Sequence, residues 1–320
     1  MSYAQYGNIQ ASDFNNLVGS NPDTNANRLN TVWATGGTTA GYGQTAVPQV
    51  SAGGSVAAAD WANLVNKTSN VASHQGTSIT AVTAPSAGGA VTYLSAIPTN
   101  LTSVYTNRLN AATQSGTSAN TATRSTTWSN AITFTHTINF TGGGDAARYF
   151  FNAGGQIKIT LSHPTGTAID NLFNGLASDV GTIVISSPSS TTTVTVVGTS
   201  YRGVQKVGGD GTNTPTVYDQ TRGYYGLTTT NVEICRHLAD SGAAGYLSSY
   251  ISISARTSTA TGSNGDNGNV ITITTLWDEV PNGYAVAIGS ATTVTLSIPE
   301  TTYIANTWGA ITLSGTVSGT

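Results

Sequence analysis

Beyond residue 128 the hydrophobic period of this chain is two. Ile132, Phe134, Ile138 and Phe140 alternate with Thr133, Thr135, Thr137 and Asn139. Residues two apart share a face only in extended chain, so the stretch predicts a strand with one buried face. Similar stretches recur at 156–162, 192–197, 251–255, 270–276, 294–298 and 311–317, parted by Gly, Asn and Ser. Short strands with Thr facing out and Ile or Val facing in predict an antiparallel β-sandwich or jelly-roll-like domain over residues 128–320. Two helices are expected to plug its ends: one behind a capping Asp145 and ending at Gly154-Gly155, the other carrying Ile169, Leu172, Phe173 and Leu176 on one face. Residues 199–226 are Gly-rich and aromatic and read as a long projecting loop, with Arg222, Tyr224 and Tyr225 as candidate recognition residues.

Upstream the period is helical. Gly7, Ile9, Ala11, Ser12, Asp13, Phe14, Asn16, Leu17 and Val18 are echoed 47 positions later by Gly54, Val56, Ala58, Ala59, Asp60, Trp61, Asn63, Leu64 and Val65. In each copy an Asp opens a helix, where a carboxylate meets unpaired amides. The aromatic and the Leu-Val pair then fall on one face. Asp13, Phe14, Leu17, Asp60, Trp61 and Leu64 form a candidate assembly motif. Asn21-Pro22 is expected to start a second helix bearing Leu29, Val32 and Trp33, and Pro98 a further one that runs to Gly116. Such narrow stripes are expected to bury little alone and to pack against other chains. Residues 117–127 are polar without periodicity and read as a linker. The whole is mainly β with a helical N-terminal region: 1–116 helical, Gly-rich and duplicated, 117–127 linker, 128–320 β.

Charge limits what such a chain can do. Charged residues are 8%, against roughly 25% in an ordinary soluble domain, so much of the surface is expected to be neutral or covered by neighbours. With net charge −3 and no basic run, nucleic-acid binding is not expected. No apolar stretch is long enough to insert in a membrane, and the start Met1-Ser2-Tyr3-Ala4-Gln5 is not a secretion signal. The single Cys235 rules out an internal disulfide and reads as a small buried residue. Strand edges without Lys or Glu invite pairing with another chain.

Candidates for chemistry are few. Residues 36–44 imitate a phosphate cradle but lack the Gly-Lys-Ser/Thr ending. His74, His136, His163 and His237 have no metal-ligand spacing, and His136 falls on the apolar side of its strand as a core histidine with a satisfied ring. Paired carboxylates for polysaccharide cleavage would come from Glu233, Asp240, Asp278, Glu279 or Glu300, with Trp277 as a sugar platform. The tip 262–269 is oxygen-rich yet holds one carboxylate, which favours a plain turn over calcium. No metal, cofactor or catalytic residue is assigned.

Residues 9–16, Gly41-Tyr42-Gly43-Gln44, 56–66 followed by His74-Gln75, and Arg148-Tyr149-Phe150-Phe151-Asn152-Ala153-Gly154-Gly155 resemble a family of tail-fibre-like structural proteins from tailed phages. The resemblance implies a non-enzymatic virion component, assembled in the host cytoplasm from copies of itself and other virion proteins. An oligomeric tail or tail-appendage protein is the leading expectation. The alternatives are a capsid decoration or collar protein, an adhesin binding host surface glycans, and a polysaccharide-cleaving enzyme.

Overall fold

The computed structural model describes residues 10–37, 39–89, 91, 95–188, 192–209, 217–218, 222–240, 244–258, 268–283 and 289–319. The chain divides into two compact units. One comprises Met1–Thr113, Thr195–Gly198 and Glu300–Thr307; the other comprises Gln114–Val194, Thr199–Pro299 and Trp308–Thr320.

The first unit holds four helices, α1 (Ala11–Val18), α2 (Leu29–Trp33), α3 (Ala58–Gln75) and α4 (Ala96–Thr106). Their stripes converge on a core of their own, in which Phe14, Leu17, Leu29, Val32, Leu64, Leu101 and Val104 are sealed from solvent. This corrects the expectation that such helices need other chains to bury their faces. The loops complete the core, since Tyr42, Val47 and the returning Ile304 are buried as well. Pro22 does not open α2. Asp23 instead takes the N–H groups of Ser20 and Asn25 and the Arg28 guanidinium at 3.1 Å, which holds a turn until the helix starts at Leu29. Pro98 lies inside the first turn of α4, which ends at Thr106, and Gly116 lies in a strand.

The second unit is a β-sandwich with two further helices, α5 (Ala146–Asn152) and α6 (Ala168–Val180). The chain's strands are β1 (Gln114–Thr123), β2 (Ala131–Phe140), β3 (Gln156–Ser162), β4 (Thr182–Ile185), β5 (Val194–Val196), β6 (Thr199–Tyr201), β7 (Val204–Val207), β8 (Val217–Tyr218), β9 (Val232–Leu238), β10 (Tyr250–Thr257), β11 (Val270–Asp278), β12 (Ala291–Pro299) and β13 (Ile311–Gly319). One sheet has the order β1-β12-β3-β4-β7 and the other β13-β2-β11-β10-β9-β8, with antiparallel neighbours throughout. Ile132, Phe134, Ile138 and Phe140 point inward from β2, as alternation requires. With Trp128, Trp277 and α6 residues Leu172, Phe173 and Leu176 they exclude water. Trp128 meets Phe173 edge to face at 5.1 Å.

Three sequence readings change here. Residues 117–127, taken as a linker, are largely strand: β1 pairs with β12 from Gly116 to Thr123. Its inward positions are Ser118, Asn120 and Ala122, and the last two press on Gly315 of β13, where a Cβ would meet the Asn120 Oδ1 at 2.5 Å and the Ala122 Cβ at 3.0 Å. Large apolar residues do not fit, so the period is invisible. Residues 199–226, read as one projecting loop, contain β6, β7, β8 and a 3-10 turn at Tyr224–Gly226, while 210–216 and 219–221 lie outside the described residues. His136 is a core residue, but its ring is unsatisfied: the Asn120 and Thr292 backbones lie beside it, yet neither nitrogen makes a hydrogen bond of ordinary geometry.

Candidate functional site

The duplicated motif builds a strut. In each copy the Asp folds back onto the residue before its helix: Asp13 accepts the Gln10 N–H at 3.0 Å, and Asp60 the Ala57 N–H at 2.8 Å. Helix geometry then aims the two aromatics at each other. Phe14 and Trp61 meet edge to face, with centroids 5.3 Å apart and planes at 77°, a contact worth about 0.5–1.5 kcal/mol beyond its buried area. Leu17 and Leu64 are buried beside them. Gly7 and Ile9 lie outside the described residues.

The other motif residues of the first unit join the same framework. A Cβ on Gly41, whose φ is +96°, would collide with the Thr35 carbonyl, so only glycine turns the chain there. The N–H groups of Tyr42, Gly43 and Gln44 donate to the carbonyls of Val32, Ala34 and Trp33 at the end of α2. Those donors are spent, which removes the phosphate-cradle reading. The buried Tyr42 hydroxyl donates to the Arg108 carbonyl at 2.9 Å and accepts from Gln75 Nε2 at 3.0 Å, and burial raises its pKa. His74 packs against the same ring at 5.3 Å.

Neutral amides carry much of the remaining polar bonding. A side-chain amide that both donates to and accepts from one backbone residue imitates a strand partner. Asn15 does this with Val50, Asn30 with Val47, Asn100 with Thr80 and Gln44 with Ala305, all at 2.8–3.0 Å. In the second unit Asn171 holds Gly166 in this way. Charge is scarce partly because uncharged amides satisfy these buried groups.

One constellation has the order of a nucleophilic triad. Ser290 Oγ lies 2.7 Å from His163 Nδ1, and His163 Nε2 lies 3.3 Å from Asp170 Oδ1. Trp128 Nε1 donates to Ser290 Oγ at 2.9 Å. The Asp170 carboxylate only accepts, so the neutral imidazole carries its proton on Nε2, and Nδ1 accepts the Ser290 hydroxyl while the serine oxygen accepts the indole N–H. Burial lowers the His163 pKa, with Asp170 opposing the shift. Ser290, His163 and Asp170 are all buried, and Phe173 and Trp277 pack around the imidazole at 6.1 and 5.9 Å. A reacting carbonyl must come within about 3–3.5 Å of the nucleophile, and Ser290 has no exposed surface at which to meet one. The trio ties β12 to the start of α6, where Asp170 also accepts the N–H and hydroxyl of Thr167.

The candidate recognition loop is corrected outright. Tyr224 and Tyr225 are buried, Arg222 is half-buried, and Tyr224 stacks on Phe151 at 4.5 Å with planes 14° apart. The Tyr225 hydroxyl donates to Asn152 Oδ1. Trp277, offered as a sugar platform, is in the core. The carboxylates are engaged separately: Glu233 with Arg236 at 2.7 Å, Asp278 with Tyr250, Glu279 with the Asn130 N–H, and Glu300 with Thr301 and Thr302. Asp240 acts on His237 through its charge. Burial pushes the Cys235 thiol up to about 12, far from a reactive thiolate. Among the described residues no group of three or more His, Cys, Asp or Glu is placed to hold a metal, and no helix is long and apolar enough to cross a membrane. The oxygen-rich tip falls almost wholly on 259–267, outside the described residues.

What the second unit does expose is strand edge. β1 ends one sheet and β13 the other, and the two strands lie against each other on one side of the sandwich. Neither contains a charged residue, whereas β7, at the far edge of its sheet, carries Lys206. The Thr141 N–H donates to the Ala310 carbonyl, which sets the ladder parity. Even-numbered residues of β13 therefore bond to β2, and the backbone groups of Ile311, Leu313, Gly315 and Val317 face outward. Their side chains point to the core but stay only half-buried. No family model, curated protein or solved structure matches the chain.

Proposed function

We propose that this chain is a structural subunit that assembles with copies of itself, as a component of a tailed-phage virion, in the tail or a tail appendage. The observation that carries the assembly reading is the paired edge of β1 and β13: neither strand contains a charged residue, and the outward backbone groups from Ile311 to Val317 have no described partner. Edge strands are normally short, charged or covered, because a free row of N–H and C=O groups recruits strands. The motif residues that carry the resemblance support the same role, since they act as internal struts rather than reactive groups. An adhesin reading loses its carrying residues with the burial of Tyr224 and Tyr225. Immunogold labelling tests the placement: antibody against the chain should decorate tails of particles purified from cells that produce it. Particles without label would refute the virion reading, and label on heads would move the chain to a decoration role.

A further inference from the structure

We infer that the open edge of β13 pairs antiparallel with β13 of a second copy, about a two-fold axis near Ser314, so that the sandwich continues from one subunit into the next. This rests on the assembly reading above and names its surface.

The stretch available is Ile311 to Val317, because Arg124 already donates to the Gly319 carbonyl at 3.1 Å and closes that end. Within it the outward backbone groups belong to residues 311, 313, 315 and 317, and a two-fold places the same odd-numbered set opposite itself. Paired residues of antiparallel strands send their side chains to the same face. Leu313 of one copy then lies beside inward residues of the other, and the half-buried Ile311, Leu313 and Val317 complete their burial.

The occupant follows from the two edges being side by side. A lone extended peptide would satisfy β13 and leave β1 open, although β1 is equally uncharged. A partner covering both must itself be a two-layered β body with edges at matching separation and no charge on them. The second unit of this chain is such a body. A closed, self-complementary contact of this kind is the usual geometry of a dimer.

The test is Ser314→Lys with Thr316→Lys, two exposed edge positions whose side chains leave the core untouched. The control is Thr160→Lys with Ser162→Lys, exposed positions on β3 inside the other sheet. Mass in solution across a dilution series is read for the full chain and both variants, and circular dichroism checks folding. The edge variant should dissociate at a concentration at least about tenfold higher than wild type, with the control unchanged. In the wild-type multimer the amides of Leu313, Gly315 and Val317 should exchange slowly with deuterium, a readout that needs no variant. A wild-type multimer in which these amides exchange freely, or in which a folded edge variant associates as tightly, overturns the β13 contact and leaves assembly standing. A wild-type chain that is monomeric throughout overturns both.

Discussion

Replacing Asn30 is expected to remove more stability than its small neutral side chain suggests. Asn30 is buried, donates to the carbonyls of Gly19 and Val47 at 2.9 Å each, and accepts the Val47 N–H at 2.9 Å. Asn30→Leu keeps the approximate volume but strands one N–H and two carbonyls away from water. Each stranded group costs about 1–3 kcal/mol, and the added apolar surface returns about 1–2 kcal/mol. The net loss is then about 1–8 kcal/mol, a large part of the roughly 5–15 kcal/mol that holds a domain together. Asn30→Asp sharpens the test. It keeps an acceptor for Val47 but sets a carboxylate against two carbonyl oxygens, so at pH 7 it should be at least as damaging as Leu. Acid should relieve part of the defect by restoring a proton to donate. Urea unfolding of the full chain, followed through the transition of the first unit, measures this. An Asn30→Leu loss below about 1 kcal/mol, or an Asp variant equal to wild type at pH 7, would refute amide clamping as a source of stability.

Other outcomes follow from the same geometry. Ser290→Ala leaves the Trp128 N–H and His163 Nδ1 unpaired, so unfolding measurements should show a loss of about 1–3 kcal/mol or more; an unchanged midpoint contradicts the strut. Burial lowers the pKa of His136, His163 and His237 from 6.5, so below about pH 6.5 the unfolded chain binds protons that the folded chain refuses. Stability is full above that pH. It should fall on acidification by up to about 1.4 kcal/mol per pH unit for each histidine, until the folded-state values are reached. A denaturant midpoint that is flat from pH 7.5 to 5 refutes this. Tyr224→Ala should lower the melting temperature by removing the stack on Phe151; a variant with native stability and lost glycan binding would restore the recognition loop.

The strands whose inward positions hold Ile, Val or Phe are legible in the sequence, and β2, β3, β11 and β12 follow from alternation alone. β1 is not, because its inward residues are Ser118, Asn120 and Ala122, the last two pressed on Gly315. β9 is hidden by a register shift opposite Ile253 and Ser254 that buries both Ile234 and Cys235 and breaks the period. The duplicated motif announces two helices, yet nothing local says that Phe14 and Trp61 meet. Tyr224 and Tyr225 look exposed because glycines surround them, and their partners Phe151 and Asn152 lie about seventy residues away. The Ser290, His163 and Asp170 chain is invisible for the same reason, with Ser290 separated from His163 by 127 positions. Asn15, Asn30 and Asn100 carry no signal that separates a clamp from a surface amide.

Sedimentation of the intact chain over a wide concentration range, at low and at high salt, bears most directly on self-assembly. A multimer with nearly the same affinity at both salts is expected, because backbone pairing and apolar burial between uncharged edges offer little for ions to screen. A monomer at every concentration would contradict it, and an association that salt dissolves would show that charge, not bare strand, brings the copies together.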